Sequence, residues 1–430
     1  MKVIKYPDKK DLYDLLKRPV KDFSEISKVV KPILEDVKLN GDEALKKYTR
    51  EFDKADMDNL AVGRDEIADS SAMLGEDLKR AVERAKDNIE KFHEAQKCDE
   101  GVIKIEEGIE CWRKSVAIEK VGLYIPGGTS PLFSTVLMLG VPARLAGCAE
   151  IILCTPADKN GKVHPAVLFT ASLIGIDKIF KAGGAQAIAA MAYGTESVPK
   201  VYKIFGPGNQ YVTAAKRLVL NEGIAIDMPA GPSEVAVIAD DTAEPQFVAS
   251  DLLSQAEHGP DSQVLLVTVS ETLAANVQTE VNKQLEKLPR KEFAAQSLAN
   301  SKIILVKNID EAVQIINEYA PEHLILAVNG SEQEAEKIVN AGSVFIGNYS
   351  PESAGDYASG TNHTLPTNGC ANTYSGVSLD SFVKKITFQK LSRDGLKSLA
   401  STIETMAQAE GLHAHKNAVS IRLKTSGGKS

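Results

Sequence analysis

Several features that would place the protein in a particular class are missing from the sequence. No apolar run approaches the roughly 18 residues that a membrane-spanning helix needs, which argues against a membrane protein. Residues 1–20 are charged throughout and lack the apolar core of a signal peptide. Only five cysteines occur, an odd number, so we expect reduced thiols and a cytoplasmic location. The formal net charge of −8 argues against a nucleic-acid-binding surface.

The composition that remains is that of a globular protein with a substantial core. The chain has 430 residues, of which 43% are hydrophobic and 25% charged. At about 150 residues per domain, this length predicts two to four domains. No low-complexity segment and no short repeat is visible.

The pattern of the chain changes at about residue 100. Helical periodicity dominates residues 1–100, and alternation in residues 101–120 indicates strands. Strands, glycine-containing turns and helices then alternate through 121–234 and again through 235–350, which predicts two tandem α/β modules with parallel sheets. From residue 373 we expect a strand at 382–388 and one or two helices.

The segment Ser254-Gln-Ala-Glu-His-Gly-Pro-Asp261 is the most informative single motif. A helix predicted over 244–258 ends there, because Gly259 and Pro260 form a helix stop signal. Gln255 and His258 lie three residues apart and therefore on one face of its last turn. The negative end of the helix dipole favours a cation there, so the pair suggests half of a metal site. On these residues alone, a polar helix cap is an equally good interpretation.

A candidate acid/base pair precedes an apolar strand at 324–328. A histidine such as His323 can accept a hydroxyl proton near neutral pH, and a carboxylate such as Glu322 can activate water. Neighbouring side chains on extended backbone point apart, so the two would act at different positions. A polar strand start is the alternative. Asp356 lies in the segment 353–363, whose Gly, Ser and Asn content predicts a functional loop rather than a helix or strand.

Polar residues and glycines follow the predicted strands of the first module, where ligands bind in open α/β sheets. They are Tyr124, Gln186 and the turns Gly183-Gly184 and Gly206-Pro-Gly-Asn209. Helix N-termini at such turns attract phosphate, so a dinucleotide could lie there. Because Gly-x-Gly-x-x-Gly is absent, the glycines could instead serve tight turns only.

A thiol nucleophile is the less favoured chemistry. Cys148 and Cys154 flank an apolar strand, and neither they nor Cys111 have a His or Asp beside them in sequence to lower a thiol pKa.

Eight segments, taken together and in order, carry a family resemblance. They are 121–128, Gly206-Pro-Gly-Asn209, Asp227-Met-Pro-Ala-Gly-Pro-Ser-Glu234, 254–261, Pro321-Glu-His-Leu324, 355–363, Tyr374-Ser-Gly376 and His415-Lys-Asn-Ala-Val419. In these segments the chain resembles histidinol dehydrogenase. The resemblance implies two incomplete Rossmann-like modules with small terminal arms, and NAD-dependent four-electron oxidation of L-histidinol to L-histidine through the aldehyde.

The resemblance also implies roles for individual residues. Glu322 and His323 would be the catalytic acid/base residues. The implied zinc ligands are Gln255, His258, Asp356 and His415, with His413 as the alternative to His415. The implied NAD contacts are Tyr124, Gln186 and Asn209. The implied substrate contacts are Ser233, His363 and Glu410 together with His323 and the zinc ligands.

The resemblance further implies a homodimer with shared active sites. Residues 1–20 would be an N-terminal arm, and 21–120 with 235–372 a domain that carries the zinc and acid/base residues. Residues 121–234 would bind NAD, and the arm 373–430 would complete the partner's site. L-histidinol and NAD are then the expected small-molecule partners.

Two other functions remain as alternatives from the residues. A zinc hydrolase would use Glu322 to activate metal-bound water, although no His-Glu-x-x-His is present. A metabolite-binding protein without catalytic activity would leave the set Glu322, His323, Asp356 and His415 unexplained.

Overall fold

The computed structural model describes residues 1–18, 23–98, 100–127, 131–229 and 231–424. The chain divides into two compact units. The first comprises Met1–Gln96 and Ile118–Phe382, and the second comprises Lys97–Ala117 and Val383–Ser430. None of the described helices is both long enough and apolar enough to cross a membrane.

The strands and helices follow one another in a regular order. The strands are β1 (Lys2–Lys5), β2 (Val102–Glu106), β3 (Ile109–Ala117), β4 (Lys120–Tyr124), β5 (Glu150–Thr155), β6 (Lys178–Lys181), β7 (Lys203–Phe205), β8 (Ala225–Ile226), β9 (Glu234–Ala239), β10 (Gln263–Thr268), β11 (Lys302–Leu305), β12 (His323–Ala327), β13 (Ser343–Ile346) and β14 (Val383–Leu391). The helices are α1 (Lys9–Leu15), α2 (Phe23–Tyr48), α3 (Arg64–Asp69), α4 (Glu76–Glu94), α5 (Phe133–Ala146), α6 (Pro165–Leu173), α7 (Gly184–Tyr193), α8 (Gln210–Leu220), α9 (Pro245–Ala256), α10 (Glu271–Leu285), α11 (Lys291–Ala299), α12 (Ile309–Tyr319), α13 (Ser331–Ala335), α14 (Glu352–Tyr357), α15 (Arg393–Ala409) and α16 (His413–Lys424).

The first module forms a five-stranded sheet in the order β6-β5-β4-β7-β8, and its pairings are all parallel. The chain places β5 and β6 on one side of β4 and then crosses to the other side, where β7 and β8 follow. Such a reversal opens a crevice at the carboxyl ends of the two strands, where ligands of open α/β sheets bind. The predicted parallel sheet in 121–234 is therefore confirmed.

The second module forms a six-stranded sheet in the order β1-β11-β10-β9-β12-β13, and its pairings are also all parallel. Every residue of β9, β10 and β12 is buried, as expected for strands covered by helices on both faces. Strand β1 is not predicted from the sequence. Its Lys-Val-Ile-Lys sequence is short and largely exposed at the sheet edge, so burial leaves no pattern in it.

The N-terminal helices pack on the five-stranded sheet. Leu34 of α2 shares a core with Ile188 of α7, and Ile89 of α4 shares a second core with Leu137 of α5. These helices thus contact the module opposite to the one with which the predicted domain division groups residues 21–120. The domain boundaries themselves remain a prediction.

The second unit is built on a three-stranded antiparallel sheet in the order β14-β3-β2. Trp112 of β3 and Phe388 of β14 stack with ring centroids 5.3 Å apart. The predicted strand at 382–388 is present as β14, and α15 and α16 follow it as expected. This unit corresponds to the C-terminal arm together with the strand segment 101–117.

Candidate functional site

A cavity of about 1040 Å³ lies at the carboxyl ends of the five-stranded sheet. Tyr124, Gln186 and Asn209, the three predicted NAD contacts, all line it. The Tyr124 hydroxyl accepts a hydrogen bond of 3.0 Å from the amide of Gly184 at the start of α7. The structure therefore brings these three residues together in one concave site.

Gln186 has the features of a ligand-binding amide. It is fully buried on α7, yet neither its oxygen nor its nitrogen has a hydrogen-bond partner among the described residues. An unsatisfied buried amide is costly, so such groups usually await a ligand or water. A nucleotide with donors and acceptors would satisfy both atoms.

The helix N-termini at this cavity are already capped by side chains. Asn209 accepts from the amides of Tyr211 and Val212 at the start of α8. Asp53 accepts from the amide of Gly183 at the start of α7, and burial raises the pKa of Asp53 to about 6. Because both N-termini have intramolecular partners, helix dipoles attract phosphate less here than the glycine turns suggested. No local pattern in the sequence marks Asp53, because its contact with Gly183 exists only in the fold.

A second cavity of about 670 Å³ shares Tyr124 and Asn209 with the first. Its wall continues to the six-stranded sheet, where Glu322, His258 and Ser233 line it. The two predicted functions, cofactor binding and acid/base chemistry, thus meet at neighbouring cavities within the first unit.

Glu322 and His323 lie at the amino end of β12, next to the amino end of β9. A Glu322 carboxylate oxygen accepts a 2.8 Å hydrogen bond from the Glu234 amide. His323 Nδ1 lies 3.1 Å from the Glu234 carbonyl, and its Nε2 lies 3.4 Å from an Asp356 carboxylate oxygen. The expectation that the two side chains point apart is wrong, because His323 Nδ1 lies only 3.7 Å from a Glu322 carboxylate oxygen.

Burial dominates the acidity of the pair. Burial raises the pKa of Glu322 to about 8, against the opposing effects of the His323 ring and the Glu234 amide. Burial lowers the pKa of His323, but the carboxylates of Glu322 and Asp356 outweigh it, and the net pKa is raised. A protonated Glu322 has no charge with which to hold His323 protonated. The raised pKa of Glu322, caused mainly by burial and also by the nearby Glu234 and Asp356 carboxylates, thus favours a neutral His323 ring.

Gln255 and His258 lie at the end of α9 as predicted, but the helix is shorter than expected. It ends at Ala256, with Glu257 as the helical C-cap, and the predicted end at residue 258 is wrong by two residues. The chain continues as a turn in which the His258 amide donates to the Gln255 carbonyl over 3.2 Å. The helix stop thus acts before Gly259, and both side chains still face the same region.

Asp356 lies on a helix, α14, and the prediction of a structureless loop at 353–363 is wrong for its first part. Pro351 precedes the helix in an extended conformation, and Glu352 at its first position is buried and accepts a hydrogen bond from Ser254. Gly355 packs against the ring of Phe345. These tertiary contacts override the weak local helix propensity of the segment.

The three predicted metal ligands of the first unit suit a divalent cation. Gln255 directs its amide nitrogen to the Glu234 carbonyl over 3.1 Å, which leaves its buried oxygen without a partner among the described residues. Burial lowers the pKa of His258, which keeps the imidazole neutral, and the Asp356 carboxylate opposes this shift. An amide oxygen, a neutral imidazole and a carboxylate are suitable donors for zinc. Within the described ranges no three His, Cys, Asp or Glu side chains are grouped to hold a metal.

The predicted substrate contacts His363 and Ser233 line the second cavity. His363 Nδ1 faces the Asp356 carbonyl at 2.9 Å, so it donates the proton, and Nε2 then accepts from the Thr135 hydroxyl at 3.1 Å. Burial lowers the pKa of His363, in agreement with this neutral form. The Ser233 carbonyl accepts from the amide of Gln263, which fixes the turn before β9.

Glu410, His413 and His415 belong to the second unit. Glu410 caps the end of α15, His413 begins α16, and all three side chains are exposed. The first unit therefore presents three of the four predicted metal ligands, and the fourth lies on the exposed surface of the other unit.

Comparison with known proteins decides the family. A family model described as histidinol dehydrogenase matches residues 16–423. A histidinol dehydrogenase of Bacteroides thetaiotaomicron is 61% identical over 425 residues, covering 99% of each chain. Another from Campylobacter jejuni is 53% identical over 421 residues, covering 97% of each. This chain belongs to the histidinol dehydrogenase family.

The fold agrees with the histidinol dehydrogenase family. A crystal structure of histidinol dehydrogenase from Elizabethkingia anophelis matches with a TM-score of 0.97 at 55% identity, covering 99% of this chain and 98% of that one. The family carries out the NAD-dependent oxidation of histidinol in histidine biosynthesis. The resemblance predicted from motifs in the sequence is thereby confirmed.

Two buried cysteines of this histidinol dehydrogenase family member, Cys148 and Cys154, do not have the environment of a nucleophile. Burial raises the pKa of Cys148 to about 11 and raises the pKa of Cys154 as well. Reactive thiols require a lowered pKa, so the structure supports the preference against covalent thiol chemistry at these two positions.

Proposed function

We propose that this chain oxidises L-histidinol to L-histidine through L-histidinal, with transfer of four electrons to two NAD⁺. The supporting observation is the buried pair Glu322 and His323 beside a cavity that is continuous with the candidate NAD contacts Tyr124 and Asn209. Each oxidation removes one hydride from carbon and one proton from a hydroxyl group. A water molecule adds to the aldehyde between the two steps. The resulting hydrate carries the hydroxyl proton and the hydride that the second oxidation removes.

His323 is proposed as the base for both hydroxyl protons. Its Nδ1 lies 3.1 Å from the Glu234 carbonyl and donates to it, which orients the ring before the substrate binds. The buried Nε2 has no hydrogen-bond partner among the described residues, so its lone pair is available to accept a proton. A fixed imidazole at hydrogen-bond distance from the hydroxyl group can remove the proton as the hydride leaves carbon. The same ring then serves the hydrated aldehyde.

Glu322 is proposed to activate water for the second oxidation. Its carboxylate has one backbone donor, the Glu234 amide, which leaves other oxygen lone pairs available for a water proton. A raised pKa makes the carboxylate a stronger base than a free glutamate once it is deprotonated.

Zinc is the proposed metal, with Gln255, His258 and Asp356 as ligands in the first unit. When bound, the metal supplies a positively charged template that orients the nitrogen donors of histidinol. Ser233 and His363 lie on the wall of the same cavity as proposed substrate contacts. Tyr124, Gln186 and Asn209 are the proposed NAD contacts, and the unsatisfied Gln186 amide supports this assignment.

The stoichiometry of the reaction tests the proposal. NADH absorbance and histidinol consumption would be measured together, and we expect two NADH per histidinol with little free aldehyde. A ratio of one with histidinal in solution would remove the four-electron reaction. Release of a hydrolysis product without NADH would instead favour the zinc hydrolase.

We propose a homodimer with shared sites, in which the partner subunit supplies the fourth metal ligand. The first unit presents only three candidate ligands, and His415 and Glu410 lie exposed on the second unit. In a closed two-fold dimer, the partner's His415 and the partner's Glu410 would complete each site. We also propose a cytoplasmic location, which the five free cysteines favour.

Complementation between inactive variants tests the shared site. His258→Ala and His415→Ala would be refolded together, and random mixing would make half of the dimers heterodimers. If His415 acts in the partner's site, each heterodimer has one intact site, and activity recovers to roughly a quarter of wild type. If His415 acts in its own chain, every site lacks one ligand, and a verified heterodimer stays inactive.

A further inference from the structure

Glu234 is a buried carboxylate whose position is fixed from several sides. It is 2% exposed at the start of β9. Arg18 donates hydrogen bonds to both of its carboxylate oxygens, from Nε over 2.5 Å to one and from a terminal nitrogen over 2.9 Å to the other. The amide of Asn368 donates to the first oxygen over 2.9 Å. A two-pronged Arg–carboxylate pair of this kind defines the geometry as well as the charge balance.

Arg18 is itself held rigidly. Its guanidinium carbon lies 3.9 Å from the ring centroid of Tyr319, and a terminal nitrogen donates to the Tyr319 carbonyl over 2.6 Å. The side chain is only 13% exposed. Planar stacking and several directed donors are specific to arginine, so lysine would reproduce the charge but not the full geometry.

The backbone of Glu234 contacts three side chains of the proposed site. Its amide donates to Glu322 over 2.8 Å, and its carbonyl accepts from Gln255 over 3.1 Å. The same carbonyl lies 3.1 Å from His323 Nδ1. A shift of the Glu234 backbone would therefore displace the water-activating carboxylate, the proposed base and one metal ligand together.

We propose that Arg18 is a positioning residue for the reaction, which acts through Glu234 on Glu322, His323 and Gln255. This inference rests on the proposed function of those three residues. Arg18 lies in the N-terminal segment and acts on the reacting atoms only through another residue. A displacement of about 1 Å at a catalytic group lowers rates by up to about a hundredfold, so the pair is expected to affect turnover and not only folding.

The test compares Arg18→Met with Arg18→Lys and with a control that loses stability elsewhere. Val277→Ala truncates a fully buried side chain of α10. Val277 is not among the described residues that hydrogen-bond to Arg18 or Glu234. Rates would be measured with saturating Zn²⁺ and NAD⁺, together with thermal unfolding. For Arg18→Met we expect kcat to fall about 10- to 100-fold, with a KM for NAD⁺ within about twofold of wild type. Arg18→Lys should recover part of kcat.

A variant without a buried unpaired charge separates positioning from folding. Arg18→Met combined with Glu234→Gln removes both charges, and neutral replacements for buried ion pairs often restore stability. We expect kcat to stay low in this double variant even where its unfolding temperature recovers. Wild-type kcat in the double variant would overturn the proposal. So would equal losses of kcat in Arg18→Met and Val277→Ala.

Wild-type activity separates this inference from the proposed function. If wild-type protein forms no NADH from histidinol, the proposed function fails, whatever the Arg18 variants do. If wild type is active and the Arg18 variants retain its kcat, only the positioning role fails.

Discussion

The two sheets of the first unit contribute to the site from opposite strand ends. The five-stranded sheet presents the carboxyl ends of β4 and β7, where Tyr124 and Asn209 lie. The six-stranded sheet presents the amino ends of β9 and β12, where Glu234 and His323 begin the strands. The general rule for open α/β sheets places ligands at carboxyl ends. Only the first sheet follows this rule, whereas the proposed acid/base residues lie at amino ends of the second sheet.

The two sheets also differ in the kind of side chain that they present, neutral at the first sheet and ionisable at the second. The cavity at the first sheet offers a neutral amide, Gln186, and a tyrosine hydroxyl that is already hydrogen-bonded. The second sheet holds Glu322 and His323 buried within 4 Å of each other. Buried ionisable groups with shifted pKa values cluster at functional sites, because catalysis uses such groups. We therefore expect changes in the second region to affect turnover and changes in the first to affect NAD⁺ affinity.

The largest expected effect in this comparison comes from metal removal. Chelation should abolish histidinol oxidation, and Zn²⁺ should restore it. The reason is that the metal held by Gln255, His258 and Asp356 is proposed to orient the substrate. Other divalent ions should substitute in part, since a mixed nitrogen and oxygen ligand set is less selective than thiolates. Full activity in protein shown to be metal-free by elemental analysis would contradict the template role.

His323→Ala should have the next largest effect. Loss of a positioned base lowers rates by about 10²- to 10⁴-fold, and both oxidations should be affected because each removes a hydroxyl proton. Single-turnover rates on histidinol and on added histidinal would measure the two steps. A variant that lost only one of the two steps would show that another group removes the other proton.

Glu322→Gln should affect the aldehyde step more than the alcohol step. Only the second oxidation needs water, and we expect a loss of about a hundredfold there, at the lower end of general base catalysis. Burial raises the pKa of Glu322 to about 8, and the carboxylate is the active form. In wild type the aldehyde rate should therefore rise as the pH increases through about 8, and Glu322→Gln should lose this rise. Equal losses on both substrates would contradict the assigned role.

Much of the fold could be predicted because its signals are local. Glycine turns after short apolar strands, such as Gly206 after β7, mark the parallel modules directly. The helix at Asp356 could not be predicted, because the hydrogen bond from Ser254 to Glu352 and the packing of Gly355 on Phe345 stabilise it from outside the segment. The edge strand β1 leaves no burial pattern for the same reason: its structure comes from pairing with β11.

The sequence supplied the candidate site residues but not the contacts between them. Motifs identified Glu322 and His323, and the family resemblance supplied the candidate ligands. The contact between Arg18 and Glu234 spans 216 positions in the sequence, and no local pattern signals it. The partner of a buried carboxylate depends on tertiary packing, which the sequence alone does not display.

The smallest expected effect concerns the first region. Gln186→Ala should raise the KM for NAD⁺ about tenfold, the equivalent of one or two hydrogen bonds, and leave kcat nearly unchanged. The variant should not lose stability, because the free protein leaves both amide atoms of Gln186 buried without a partner among the described residues. Removal of an unsatisfied buried group relieves a desolvation penalty. NAD⁺ titrations and thermal unfolding would be compared with Gln296→Ala, an exposed glutamine of α11 that should change neither quantity. A fall in kcat without a change in KM would contradict the division of labour between the two sheets, since the first region would then take part in the chemical step.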